Sequence, residues 1–308
     1  MRGKRRWIFP TIIVILAAVA VSLLFFNSSD IGIKQPHSKK PEITSRTSAF
    51  HPVQPFQPVS SFSPKPLSTV GTKEHMKTPA KPDGNIVQFK VIDGWAVAYG
   101  DQLLGKPLEE NGSVTQGAFE APTPQLWSHA EIAYQISSSL PNPARVEQAL
   151  DYFRKNTPIG FVPYSGDGDG ISFEPGTEQC YSYLGKIGGL QPILLSPRCQ
   201  TQEIIHEIMH ALGFIHEQSR PDRDQYIDVL WPNIEDAFQD QYALVPETFA
   251  IGTRDSDFDY HSVMLYKTDA FEKPGAGPTM KSKSTDTISP VPQGLSETDI
   301  KRVNRLYK

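Results

Sequence analysis

The spacing of apolar and polar positions divides the chain into four stretches of different character. Trp7 to Phe26 run about 20 residues without a charge, the length of a helix that crosses a bilayer. From Asn27 to about Gly84 there is no helical or strand period, and the stretch is broken by Pro36, Pro41, Pro52, Pro55, Pro58, Pro64, Pro66, Pro79 and Pro82. Such a segment buries too little apolar surface to offset the entropy of ordering it. Ile86 to Gly105 (IVQFKVIDGWAVAYGDQLLG) alternates and carries turn glycines at Gly94, Gly100 and Gly105, a pattern of two short strands or a strand and an extended arm. After Leu126 and Trp127, strand and helix periods interleave to the end of the chain.

In that last stretch Ala130, Ile132, Tyr134 and Ile136 share one face of a strand, because side chains alternate along extended backbone. Val146, Ala149, Leu150 and Phe153 form one apolar stripe on a helix over 143–156. Ile159 to Tyr164 and Ile171 to Phe173 read as short strands around the loop Ser165-Gly166-Asp167-Gly168-Asp169-Gly170. That loop lacks the acidic spacing and terminal Glu of a calcium loop, so its residues serve turn chemistry. A further helix opens near Thr201 as N-cap and buries Ile204, Ile205, Ile208, Ala211 and Leu212. Asn233 to Leu244 and Pro246 to Ile251 look helical or irregular, and Ser296 caps a final helix that ends near Tyr307.

Charge adds direction to this layout. Arg2, Lys4, Arg5 and Arg6 precede the apolar run, which keeps the N-terminus cytoplasmic and puts the chain beyond Phe26 outside. A cleavable signal peptide is the competing reading, since Ala18-Val19-Ala20 suits a peptidase, although the run continues through Leu23, Leu24, Phe25 and Phe26. The proline-rich stretch is a spacer with a reach on the order of 50 Å as a flexible coil. As a recognition ligand it would want a basic residue within His51 to Phe62, and there is none. Residues 1–120 hold 14 Lys/Arg against 9 Asp/Glu, and residues 121–308 hold 16 against 25. An acidic C-terminal domain argues against nucleic acid as a target.

The chemistry concentrates in HEIMHALGFIHEQSRPDRD, from His206 to Asp224. A helix turns about 100° per residue, so His206 and His210 project roughly 40° apart from one face and can share a metal. Glu207 lies on the same turn, within reach of a metal-activated water without being a ligand. Gly213 lets the helix stop and reverse, and His216 then swings back as a third nitrogen. Three neutral imidazoles leave coordination positions open, the pattern of a catalytic rather than a closed structural zinc site. His37, His51, His75, His129 and His261 lack metal spacing and are set aside as ligands.

The extended HExxHxxGxxH pattern resembles the metzincin signature, and HEIMHALGFIHEQSRPDRDQY is similar to the astacin family of zinc endopeptidases, in a bacterial-type, membrane-anchored form. The resemblance runs from Leu126 to Tyr307, and Asp259-Tyr260-His261-Ser262-Val263-Met264-Leu265-Tyr266 resembles the family's Met-turn. It implies an α+β metzincin-like domain: a twisted mixed sheet with the active-site helix, a lower lobe, and a cleft between the two lobes. It also implies one zinc per chain on His206, His210 and His216, with Glu207 as general base and Met264 beneath the histidines. Tyr266 would be the metal-binding tyrosine that also donates to the developing oxyanion. Gly213 and Glu217 take structural places, and Glu217 would pair with a new N-terminal amine if the chain is trimmed. Leu265 stands where the family has a histidine, which bears on substrate preference.

Three further expectations come from the same source. Astacin pro-segments place the aspartate of a Phe-x-Gly-Asp motif on the metal; Ala98-Tyr99-Gly100-Asp101 matches at Gly100 and Asp101 only. Asp101 is therefore either a latency ligand or an ordinary turn aspartate. Cys180 and Cys199, the only cysteines, form a disulfide by family pattern and by the even count; a cysteine nucleophile would lack its partners. The segment Cys180 to Tyr183 is the edge to which a peptide substrate adds as an antiparallel strand.

The resulting layout is a basic segment over 1–6, an anchor or signal over 7–26, a linker over 27–84, pro-segment-like strands over 85–120 and a catalytic domain over 121–308. A monomer acting on protein or peptide substrates outside the cytoplasm is expected, membrane-anchored through the N-terminal helix or else secreted. Two other classes keep the same motif: a zinc amidase acting on cell-wall peptides, and a silent zinc-binding adhesion module, which would have no use for Glu207.

Overall fold

A computed structural model describes residues 85–107 and 116–308. The apolar run of 7–26 and the proline-rich linker of 27–84 lie outside the described residues, so the anchor and spacer readings are not addressed by it. Among the described residues no helix is long and apolar enough to cross a membrane.

Ile86 to Gly105 forms three strands rather than the two expected: β1 (Ile86–Ile92), β2 (Trp95–Ala98) and β3 (Gln102–Gly105). The reason lies in the turns. Asp93 and Gly94 both have positive φ, 53° and 75°, the geometry of a tight two-residue hairpin that an Asp-Gly pair favours. Tyr99 and Gly100, at 51° and 102°, then make a second reversal. A fourth strand, β4 (Gln116–Glu120), pairs antiparallel with β1 from Ile86↔Glu120 to Lys90↔Gln116.

The rest of the sheet comes from β5 (Glu131–Ile136), β6 (Gly160–Pro163), β7 (Gly170–Pro175), β8 (Cys180–Tyr183) and β9 (Leu190–Leu195), with α1 (Ala144–Asn156) between β5 and β6. All nine strands join in the order β4-β1-β2-β3-β8-β9-β7-β5-β6. β5, β6, β7 and β9 pair in parallel and β8 runs antiparallel to β9, so the sheet is mixed, as expected. β3 pairs with β8 in parallel at Gln102↔Ser182 and Leu103↔Tyr183. The edge strand named from the sequence as the substrate edge therefore already carries a strand of the same chain.

Helix α2 (Thr201–Ala211) packs beside α1 and β8. Ile204, Ile205, Ile208, Ala211 and Leu212 join Val146, Leu150, Phe153, Ile171, Phe173 and Ile193 in one buried core, because their 3.6-residue period puts them on one face. The N-cap is Gln200, not Thr201. Gln200 is extended and its backbone N–H donates to the Glu203 carboxylate at 2.8 Å, half of a capping box. Thr201 instead donates its hydroxyl to Gln148 of α1 at 2.8 Å.

Beyond α2 the chain is mostly short 3-10 turns, with a small ribbon of β10 (Ile227–Val229) and β11 (Met280–Ser282), before α3 (Glu297–Leu306). Ser296 caps α3 as expected, accepting from Asp299 N at 2.9 Å. A second apolar cluster joins Val87, Phe89, Ala96, Ala98 and Tyr99 of the first strands to Leu184, Ile215, Val245, Phe249 and Ala250. The segment 85–105 is thus docked by apolar burial as well as by pairing.

Cys180 and Cys199 are bonded, with Cα atoms 6.0 Å apart and a sequence separation of 19. The bond ties β8 to the start of α2. Replacing both cysteines by alanine is expected to lower unfolding free energy by about 3 kcal/mol on loop entropy alone; urea unfolding measures it, and a loss under about 1 kcal/mol would contradict this role.

Candidate active site

Helix α2 presents His206 and His210 one turn apart, and its end returns the third histidine to them. Gly213 N bonds to His210 O at 2.8 Å and Phe214 N to Met209 O at 3.0 Å, a Schellman stop with its αL residue at Gly213, φ 97°. A Cβ at position 213 would lie 2.9 Å from Leu126 Cδ2 and 3.1 Å from Ile251 Cδ1, so the turn has no room for a side chain. The open carbonyls of the last turn are taken by Trp127 Nε1 on Ala211 O at 2.8 Å and Tyr307 Oη on Leu212 O at 2.7 Å.

Four groups converge there: Asp101, His206, His210 and His216, with one ligand atom from each lying within 4.8 Å of all the others. His206 Nε2 and His216 Nε2 are 3.1 Å apart. Asp101 places Oδ1 3.1 Å from His210 Nε2, and Oδ2 3.4 Å from His206 Nε2 and 3.2 Å from His216 Nε2. His206 Nδ1 is 3.0 Å from Val263 O and His210 Nδ1 is 2.7 Å from Phe214 O. A neutral imidazole that donates from Nδ1 turns its Nε2 lone pair inward.

Glu207 is almost wholly buried, and its Oε2 has no hydrogen-bond partner. Burial, and after it the charges of Asp101 and Glu203, push its carboxyl well above the usual carboxylate range. Burial acts the same way on Asp101, but the imidazoles of His216, His210 and His206 outweigh it and hold that carboxyl well below the usual range. His210 is pulled down to about 4, chiefly by burial.

Tyr266 stands with its ring centroid 4.9 Å from that of His216, and its hydroxyl donates to Gln241 Oε1 at 3.0 Å. Met264 is buried in the core beside α2, and its carbonyl accepts from Glu217 N at 2.9 Å. The fully buried Glu217 carboxylate is met by Arg302 Nη1 at 2.5 Å, Arg220 Nη1 at 3.2 Å and Asp259 N at 3.1 Å.

The family model for Astacin, a peptidase family, matches residues 119–308. The chain belongs to the astacin family. It is 42% identical over 188 residues to zinc metalloproteinase nas-13 of Caenorhabditis elegans, a match covering 59% of this chain and 40% of that protein. With nas-4 of the same organism it is 36% identical over 216 residues, 68% of each. Astacin-like metalloprotease toxin 1 of Loxosceles intermedia is 33% identical over 237 residues, 72% of this chain and 84% of the toxin. Among solved structures, high choriolytic enzyme 1, a hatching enzyme zinc-protease from Oryzias latipes, superposes with a TM-score of 0.52 at 33% identity, over 60% of this chain and 93% of that one. This astacin thus spans 40% of the length of nas-13.

The donor set of this astacin fits zinc. Zinc–nitrogen bonds of about 2.0–2.1 Å at tetrahedral angles imply ligand atoms roughly 3.3 Å apart, and four of the separations here fall at 3.1–3.4 Å. His210 Nε2 and Asp101 Oδ1 are buried without a hydrogen-bond partner, which is costly for polar atoms unless a cation satisfies them. His261 lies apart from the cluster, exposed and 3.0 Å from Ser289 O through Nδ1. Gln241, Asp299 and Arg302 reach residues of the site, Tyr266, Val263 and Glu217, and sequence reasoning does not single them out. For Gln241 no local pattern marks it. Arg302 lies beside Val303 on the buried side of α3, but its pairing with Glu217 leaves no local pattern.

Asp101 reaches the histidines only because Gly100 precedes it. A Cβ at position 100 would meet Tyr266 Oη at 2.7 Å and Gln241 Oε1 at 2.8 Å, in a backbone with φ +102°. Gly100→Ala is expected to unseat residues 96–105 while leaving the catalytic domain folded. Amide hydrogen exchange should quicken in β2 and β3 by about tenfold or more and hold steady in α1 and α2; unchanged protection of β3 would contradict the tight fit.

Proposed function

We propose that this chain is a zinc-dependent endopeptidase in a latent form, with His206, His210 and His216 as metal ligands and Asp101 as the fourth. The single observation that carries this reading is the meeting of three histidine nitrogens and the Asp101 carboxylate, with Glu207, whose Oε2 is buried without a partner, on the helix that carries His206 and His210. Zinc there supplies a Lewis acid that acidifies water and polarises a carbonyl. Glu207 takes the proton from the attacking water and passes it to the leaving amine. Its raised carboxyl suits both steps, and departure of Asp101 removes one of the charges that raise it. The Tyr266 hydroxyl leaves Gln241 and donates to the oxygen on which negative charge develops.

Latency is supported by two placements in one segment. Asp101 lies against the three histidine nitrogens, where it would take the position that water needs on a bound zinc, and β3 lies along β8, where a substrate strand would pair. With the pro-segment displaced, the β8 edge holds a peptide by backbone hydrogen bonds, which accept many side-chain sequences. A disulfide between Cys180 and Cys199 belongs in an oxidising compartment. That supports placing the catalytic domain outside the cytoplasm, delivered by the basic and apolar segments at 1–26.

Two substitutions test the reading on casein, with isolated cell-wall peptide as the comparison substrate. Glu207→Gln is expected to keep its zinc and lose on the order of a thousandfold or more in kcat. Asp101→Ala in the untrimmed chain is expected to raise hydrolysis about tenfold or more, since a freed coordination position restores the water. Full activity in Glu207→Gln would remove Glu207 as the base, and an unchanged Asp101→Ala would remove latency. Turnover of cell-wall peptide alone would move the substrate class to an amidase.

A further inference from the structure

We propose that α3 is a positioning element of the metal site, in which Arg302 acts through Glu217 on His216 and Asp299 acts through the Val263 carbonyl on His206. The proposal rests on the zinc reading above and concerns residues outside the ligand set.

The two relays are short and both are buried. Asp299 accepts from Ser262 Oγ at 2.7 Å and from Val263 N at 2.9 Å, which holds in place Val263, the residue whose carbonyl accepts from His206 Nδ1 at 3.0 Å. One turn further along α3, Arg302 places Nη1 2.5 Å and Nη2 3.5 Å from the two oxygens of Glu217, the residue next to His216. Its Nη2 also donates to Asp257 O. Arg220 contacts the same carboxylate but is only three residues from it, in the same loop. Arg302 comes from 85 positions away, so it ties this loop to α3. The helix itself is anchored to the end of α2, where Tyr307 bonds to Leu212 O and Val303 joins the core.

The choice of side chains argues for placement rather than simple cohesion. A helix needs only apolar groups to dock, and replacing a buried ion pair by apolar residues of similar volume is often neutral or stabilising. Here Asp299, Arg302 and Glu217 are all nearly inaccessible to solvent; Asp299 holds Val263, which bonds to His206, and Arg302 holds Glu217, which follows His216. Such groups around a metal fix ring orientation, and losing one typically costs about 10–100-fold in metal affinity. Because Glu217 is closed to solvent and held at both oxygens, its charge is balanced within the chain itself.

The test follows zinc retention in the zinc-loaded full chain against a competing chelator, together with the visible spectrum of the cobalt-substituted protein. Arg302→Met and Asp299→Asn are expected to lose zinc about 10–100-fold faster than the wild type and to shift the cobalt bands. Arg302→Lys should recover part of the loss. Arg305→Met, on the same helix but bonded to exposed carbonyls, should match the wild type. The gain in Tm on adding zinc should shrink in the first two variants, which a purely structural helix would not cause. If Arg302→Met fails to fold, the paired change Glu217→Gln with Arg302→Met removes the charges together and carries the same expectation. Zinc loss within about twofold of wild type in the variants, with metal-free and loaded forms destabilised equally, would overturn the proposal. A wild-type protein that takes up no zinc would instead overturn the zinc reading beneath it.

Discussion

Three imidazole lone pairs directed into one buried point repel one another, and the site is built around the need for a cation between them. Two of the rings are committed through Nδ1 to the carbonyls of Val263 and Phe214, so they cannot turn away to relieve the conflict. A carboxylate from Asp101 sits against the same nitrogens. Anion and lone pairs at about 3 Å in a low-dielectric interior are tolerable only when positive charge, from protons or a metal, lies between them. In a set of this geometry a zinc ion satisfies all four at once.

The remainder of the fold serves to hold that arrangement still. The apolar stripe of α2 fixes two rings against the sheet, the Gly213 stop returns the third, and the Val263 carbonyl accepts from His206 Nδ1. The segment before β4 then closes the site with the same physics that a substrate would use: strand pairing along β8, apolar burial against Leu184 and Val245, and a carboxylate at the metal position. On the proposed reading, inhibitor and substrate would compete for one edge and one coordination position, and such competition would give a latent form without any change in the site itself.

Local pattern reveals what depends on local geometry. The histidine spacing, the glycine at the helix stop, the serine cap of α3 and the apolar faces of α1 and α2 are all consequences of helical period and turn chemistry, and they are legible in the chain. The cysteine pair is legible because there are only two. The N-cap of α2 lies one residue before the expected one, because Glu203 recruits the Gln200 backbone while Thr201 turns to Gln148. The third strand of the segment 86–105 escapes the pattern because Gln102–Gly105 is only four residues long and pairs with the distant β8 as well as with β2. The contacts of Gln241 with Tyr266, and of Arg302 with Glu217, join residues 25 and 85 positions apart. Neither leaves a period in the sequence, so only the folded chain brings them to view.

The central claim is that one zinc ion belongs among these four side chains, and metal analysis of the folded protein tests it most directly. After dialysis against a weak chelator, the account predicts close to one zinc per chain. The His216→Ala variant, still folded by circular dichroism, should hold little or none. A wild-type protein that is folded yet metal-free, and whose Tm does not rise when zinc is added, would contradict the account at its base.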